Sequence, residues 1–233
     1  MGRIILVRHG ETEANRLRRF AESGDIPLNA LGRRQAEDLA LRLAREFRPE
    51  LLFSSAFLRA RQTSEIIGGV LNLETEVIAG IHERDFGCLH GHPYERMGEM
   101  MLADVTYDPA KPWTWTPPQG EHTDDVRRRS IAALDAMRVR HSGEILVVCH
   151  GAVIQAICGH ITGRWSESSV PPNCGFVVVE CASGDDTGDL LCNRSQVAPS
   201  RLQDRLMIRS LQLQVLEGPP ENQPFCGRLK KSQ

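Results

Sequence analysis

No stretch of this 233-residue sequence is long and apolar enough to span a bilayer, and no two cysteines stand in a C-x-x-C pair. An excess of charge is missing too: 28 basic against 30 acidic side chains leave a formal net charge of −2. Neither nucleic acid nor an anionic membrane is therefore an expected partner. The first apolar run is cut off by Arg8, too early for a secretory leader, and Leu6 stands where a myristoylation signal needs Ser or Thr. Seven cysteines, an odd number without metal-ligand spacing, argue against both a disulfide framework and a structural zinc site. They read as small buried hydrophobes in a reducing compartment, so a cytoplasmic protein is expected. No internal repeat or low-complexity tract is present.

What is there is one arrangement written twice. Ile4, Ile5, Leu6 and Val7 form a continuous apolar run that stops at Arg8, His9 and Gly10. Ile145, Leu146, Val147 and Val148 form another, which stops at Cys149, His150 and Gly151. Such runs suit strands buried on both faces of a parallel sheet. Ligands of open α/β sheets bind beyond the carboxyl ends of the strands, so both histidines fall where a reaction centre is expected.

Between and after these runs, strand and helix patterns alternate. Asn29 is a candidate cap for a helix over 31–47 with Leu39, Leu43 and Phe47 on one face. Leu51 to Phe53 reads as a strand, and Ser54 and Ser55 as caps of a helix that stops near Gly68 and Gly69, with Leu58, Ile66, Ile67 and Val70 inside. Thr75 to Ile78 reads as a third strand. Residues 92–120, with five prolines and two tryptophans, read as an irregular lid within an insertion at about 88–122. Trp113 and Trp115 either line a pocket or anchor that loop. Helices follow over 124–140 and 152–161, then a closing pair of strands, Gly175 to Glu180 and Asp189 to Cys192. The expected fold is a three-layer α/β sandwich: a mostly parallel central sheet with helices on both faces. Residues 1–195 make the catalytic domain, and 196–233 a partly disordered extension.

The ordered set of motifs resembles the histidine phosphatase superfamily, in its phosphoglycerate mutase-like branch. Arg8, His9, Gly10, Glu11 and Thr12 with Asn15 resemble its signature. Pro27, Leu28, Leu31, Gly32, Gln35 and Ala36 resemble its second block, and Ser55 to Thr63, carrying Arg59, its arginine-bearing helix. Glu83 and Arg84 with Gly87 and Gly91 resemble the acid loop, Gly120 and Glu121 a Gly-Glu pair, and Cys149 to Gly151 the second histidine. The likeness spans residues 3 to about 192. It implies that His9 is the phosphoryl-accepting nucleophile, that Arg8, Arg59 and His150 surround the transferring group, and that Glu83 is the proton donor. Asn15, Glu22, Arg84 and Gly151 complete the implied substrate-binding set. No cofactor and no metal are implied, and a homodimer is left open.

Elementary chemistry agrees with these assignments. A phosphate monoester carries nearly two negative charges and needs cations that stay charged when partly buried, which guanidinium does. Neutral imidazole is a competent covalent catalyst. An alkoxide leaving group needs an acid, and for Glu83 burial would raise the pKa while two arginines oppose it. Within the family, the expected activity is hydrolysis of a small phosphorylated metabolite. Residues 92–120 hold only Arg96 and Lys111 as cations, Ala152 follows the second His-Gly, and Glu22 would repel a highly anionic substrate. Mutase-type transfer is the alternative, and a silent phospho-ligand binding module is the reading from another class. A metal-dependent phosphatase would want Asp at the strand tips, and neither tip supplies one.

Overall fold

The computed structural model describes residues 2–165 and 170–181. Five strands form one sheet in the order β3-β2-β4-β1-β5. They are β1 (Gly2–Arg8), β2 (Leu51–Ser55), β3 (Thr75–Ile78), β4 (Glu144–Cys149) and β5 (Phe176–Cys181). All neighbours are parallel except β5, which runs antiparallel to β1. The second strand expected over Asp189 to Cys192 and the extension 196–233 lie outside the described residues.

Alternation along the strands sorts the core into two layers, as a pleat with a two-residue period requires. Ile4, Leu6, Ile145 and Val147 face one side, against Val126, Ile131, Leu134 and Met137 of α5 (Thr123–Arg140) and Ile154 and Ile157 of α6 (Gly151–Thr162). Ile5, Val7, Leu146 and Val148 face the other, against Leu39, Ala40 and Leu43 of α2 (Ala30–Glu46) and Ala60 and Ile67 of α3 (Leu58–Leu71). The sandwich has the three layers the sequence implies. Each fully buried Ile, Leu or Val contributes about 1.5–3 kcal/mol, and these strands hold eight between them at 0% exposure. Among the described residues no helix is long and apolar enough to cross a membrane.

Asn29 caps α2 as expected, its side chain accepting the Gly32 N–H at 2.8 Å. The Ser54–Ser55 expectation is corrected. Both serines are the last residues of β2, and α3 starts three residues later with Phe57 at its cap and no side-chain cap bond. The helix also continues through Gly68 and Gly69 to Leu71, and Val70 is exposed instead of inside. Gly68 serves close packing: a Cβ there would stand 2.5 Å from the Leu73 carbonyl oxygen.

The lid is more regular than its prolines suggest. A short helix α1 (Glu13–Arg16) precedes it in the chain, and within it runs α4 (Glu95–Ala103). Phe20, Leu89 and Trp115 form a small separate core under it, with Tyr94, Met97, Met100 and Met101 packed around them. Trp115 is thus an anchor, its Nε1–H bonded to Asp104 at 3.0 Å, and Trp113 stacks on Trp165 at 6.1 Å.

Two glycines let the start of α2 approach the tip of β1. A Cβ on Gly10 would lie 2.4 Å from the Gly32 carbonyl oxygen, and one on Gly32 would lie 2.1 Å from that of Glu11. Both obstacles are backbone, so neither can rotate aside. Gly32→Ala is expected to destabilise the protein by about 1–3 kcal/mol, read as a lower urea midpoint; an unchanged midpoint would show that the two segments part freely.

Candidate active site

Strand register brings the two histidines together. Arg8 pairs with Cys149 across the parallel ladder, and the His9 N–H donates to the Cys149 carbonyl at 3.1 Å. His9 and His150 therefore leave adjacent strands at the same level, their ring centroids 5.2 Å apart. Strand β2 lies on the other side of β4, so its last residue, Ser55, also reaches this level, and α3 after it delivers Arg59. Arg59 donates through Nε to His9 Nε2 at 3.2 Å and through NH1 to the Ser23 carbonyl at 3.2 Å, with its guanidinium over the Phe57 ring.

Geometry settles which form of His9 is present. Its Nδ1 lies 2.7 Å from the Gly10 carbonyl, which can only accept, so Nδ1 carries the proton. Nε2 then keeps its lone pair and accepts the Arg59 N–H. Burial, and then the cations Arg59 and Arg8, hold the His9 pKa well below 6.5. His150 is held well below it for the same leading reason, with Arg59 and His9 adding to it. Both rings are neutral. Cys149 beside them is buried and its pKa is raised by desolvation, so it remains a thiol.

Two buried nitrogens here, Arg8 Nε and His150 Nδ1, find no hydrogen-bond partner among the described residues. Arg8 is otherwise anchored by NH1 to the Pro171 carbonyl at 2.7 Å. Buried orphan donors are costly, and their coincidence beside two guanidiniums fits a site shaped around an oxyanion. Gly151 begins α6 just after His150; a Cβ there would lie 2.6 Å from Val170 and 3.7 Å from Arg8 Nε. The absence of that Cβ keeps the helix N-terminus, with its partial positive charge, close to the same space.

Glu83 resolves the conflict left by the sequence. Desolvation raises its pKa, and this outweighs the opposing pull of the Arg84 N–H, Arg59, Arg8 and the Ala152 N–H. An upward shift of this kind is what a carboxyl acting as general acid needs. Its loop is clamped by Arg129 of α5, whose guanidinium donates to the Gly80 and His82 carbonyls (2.7 Å each) and the Glu83 carbonyl (3.3 Å). The same guanidinium makes a two-bond contact with the Glu121 carboxylate at 2.7 and 2.9 Å.

The remaining expected residues fare differently. Asn15 Oδ1 accepts from Thr12 and from Asn173 Nδ2, and its Nδ2 donates to the Tyr94 hydroxyl at 3.2 Å. It ties the β1 tip to the lid. Arg84 donates to the Glu121 and Trp115 carbonyls, each at 2.9 Å. Its guanidinium braces the lid. Glu22 is exposed beside Gly91, next to Ser23, whose carbonyl holds Arg59. Sequence reasoning missed Ser55, Thr63, Asn173 and Arg129. Thr63 accepts the Gly10 N–H at 3.0 Å, and Asn173 donates to the His9 carbonyl at 3.1 Å.

The chain is similar both to proteins named as phosphatases and to proteins named as phosphoglycerate mutases, among them that of Schizosaccharomyces pombe, 30% identical over 72% of this chain and 82% of the relative. The family model described as histidine phosphatase superfamily (branch 1) matches residues 4–193. The chain is 31% identical, over 70% of its length and 79% of the relative's, to the uncharacterized phosphatase PhoE of Bacillus subtilis. It is 34% identical, over 68% of each chain, to the metal-independent phosphoserine phosphatase of Arabidopsis thaliana. A solved mycobacterial glucosyl-3-phosphoglycerate phosphatase with VO3 superposes with a TM-score of 0.67 at 26% identity, covering 78% of this chain and 93% of that one.

Depressed imidazole pKa values have a sign for stability. As pH falls below 6.5, the unfolded chain takes up protons that the folded histidines refuse, so stability falls by up to about 1.4 kcal/mol per pH unit for each ring. Glu83, raised in the folded state, works the other way, since the folded chain binds its proton first. Urea unfolding between pH 7.5 and 5.5 is expected to show a steeper acid-side decline for the wild type than for His150→Gln; equal slopes would contradict the neutral-ring assignment.

Proposed function

The chain belongs to branch 1 of the histidine phosphatase superfamily, and from that premise we propose that it is a phosphoric monoester hydrolase working through a phosphohistidine on His9. The observation that carries this is the unprotonated Nε2 of His9 among two guanidiniums and a second neutral imidazole, with two orphan nitrogens beside it. In the first step His9 Nε2 attacks phosphorus while Arg8, Arg59 and His150 take the phosphoryl oxygens. Arg59 exchanges its bond to Nε2 for one to oxygen, which frees the lone pair. The ester P–O bond breaks, and the leaving oxygen takes the proton of Glu83. Glu83, now a carboxylate, accepts a proton from water as the water oxygen attacks phosphorus and the P–N bond to His9 breaks. Phosphate leaves, and His9 returns to its Nδ1–H form.

Hydrolysis is favoured over phosphoryl shuttling by the state of the lid's cations. Arg96 is paired with Glu99 at 2.8 Å, and at the lid's base Arg18 is paired with Glu95 at 3.1 Å. Arg19 donates to the Gly91 carbonyl at 2.8 Å. With Glu22 exposed next to Ser23, this wall suits a substrate with one phosphate and a less acidic remainder, such as a sugar or nucleoside-like phosphate. Among the described residues no three His, Cys, Asp or Glu side chains cluster as metal ligands. Catalysis by this chain's own cations is the reading this supports, and a cytoplasmic setting accords with its free thiols.

Release of p-nitrophenol from its phosphate ester is expected in EDTA, and is expected to vanish in His9→Ala; release that survives the substitution refutes the nucleophile. Supplying 3-phosphoglycerate with a bisphosphoglycerate primer is expected to yield phosphate and no 2-phosphoglycerate. For Glu83→Gln, kcat should fall about 100-fold on an alkyl phosphate, whose leaving group needs the proton. The loss on p-nitrophenyl phosphate, whose leaving group is weakly basic, should stay below about 10-fold. Equal losses on both esters would remove Glu83 from the acid role.

A further inference from the structure

We propose that Ser55 is a positioning residue that holds His150 in its Nδ1–H form, so that a neutral N–H, not a cation, meets the transferring phosphoryl group. The inference rests on the reading above that the site takes a phosphoryl group, and deepens it by naming the donor and what orients it.

Ser55 ends β2 and His150 follows β4, neighbouring strands, and the hydroxyl lies 2.8 Å from His150 Nε2 with both residues at 0% exposure. Either atom could donate across that contact. If Nε2 donated, Nδ1 would carry a bare lone pair toward its surroundings, and a lone pair beside phosphoryl oxygens is repulsive. If Ser55 donates, Nε2 is the acceptor and Nδ1 carries hydrogen. The other bond at Ser55 favours the second arrangement: its Oγ accepts the Phe57 N–H at 3.3 Å. The hydroxyl keeps a second lone pair, but its hydrogen meets no other acceptor among the described residues, so donation to Nε2 satisfies both atoms, and the partner of one imidazole nitrogen then dictates the state of the other. His150 Nδ1 is then a buried N–H without a partner among the described residues. It belongs to a ring wedged between Phe57 and His9, each 5.2 Å away. The low pKa of His150 means that the choice of tautomer, and not proton uptake, decides whether it can donate.

The pattern mirrors His9. There a carbonyl holds the proton on Nδ1 to free Nε2 as a nucleophile; here a hydroxyl holds the proton on Nδ1 to make it a donor. The same tautomer serves opposite ends because the two rings are held from different sides.

Long-range 15N–1H NMR on the wild type labelled in histidine, with inorganic phosphate, is expected to show His150 protonated at Nδ1 and not at Nε2. Ser55→Ala should populate both tautomers and lower kcat for p-nitrophenyl phosphate about 100-fold, with KM changed less than about 3-fold. Ser55→Thr, which keeps the hydroxyl, should restore the Nδ1–H form and most of kcat. A wild type protonated at Nε2 overturns the proposal, whether or not the alanine variant folds; so does a Ser55→Ala enzyme with undiminished kcat. These failures are separate from that of the phosphatase reading, which falls if the wild type releases no p-nitrophenol, and from that of the nucleophile, which falls if release survives His9→Ala.

Discussion

Two guanidiniums and two imidazoles share one largely buried cluster with one carboxyl, and the rest of the structure answers to that constraint. Like charges in a medium of low dielectric repel strongly, so the group cannot all be charged in the absence of an anion. The imidazoles yield, being the weaker bases, and remain neutral. Glu83 is held toward its protonated form. What remains is two fixed cations, an imidazole nitrogen with its lone pair free of a proton, and buried nitrogens without partners among the described residues. Such an arrangement costs stability in the free protein, and an anion placed among these groups would offset that cost.

The sheet supplies the rigidity this requires. Adjacent parallel strands end at one level, so three successive tips, β2, β4 and β1, can place Ser55, His150 and His9 in a row without a loop deciding any of their positions. Side chains on strand ends and helix starts are held more closely than side chains on loops. Glu83, which sits on a loop, has an extra clamp: Arg129 reaches from α5 to three carbonyls of that loop and is itself held by Glu121.

What could be read in advance follows from how local each signal is. The buried runs before His9 and His150 declare themselves because both faces of a central parallel strand are apolar, and their chemistry-bearing tips interrupt those runs. That β1 and β4 are neighbours is a tertiary fact, and the motif order carried it only through the family likeness. Ser54 and Ser55 were legible as cap residues because serine before a helix usually caps one; pairing of β2 with β4 extends to Ser54 and overrides that preference. Helix α4 hid behind flanking prolines, since its stability comes from methionines packed on Phe20, Leu89 and Trp115, contacts no local pattern records. Arg84 and Arg129 show the same limit from two sides. Adjacent to the acid, Arg84 invites a substrate role yet finds its acceptors in the lid. Arg129 lies among arginines on the polar face of α5 and is nonetheless the group that holds the acid loop.

The separation of cores bears on which part of the molecule chooses its substrate. The strands that end at His9 and His150 are part of the two main hydrophobic layers, whereas the lid rests on a small cluster of its own. Its polar ties to the rest of the molecule include Asn15 to Tyr94, His90 to the Ala21 carbonyl, and Arg84 to the carbonyls of Trp115 and Glu121, and its apolar ones Phe20 beneath it and Trp113 on Trp165. Substitutions in the lid can therefore change what accompanies the phosphate without repacking the sheet that positions His9. A site read from strand tips and a wall read from an insertion with a core of its own are then two problems of unequal difficulty. The first is determined by chemistry common to every phosphate monoester, the second by packing that each sequence solves anew.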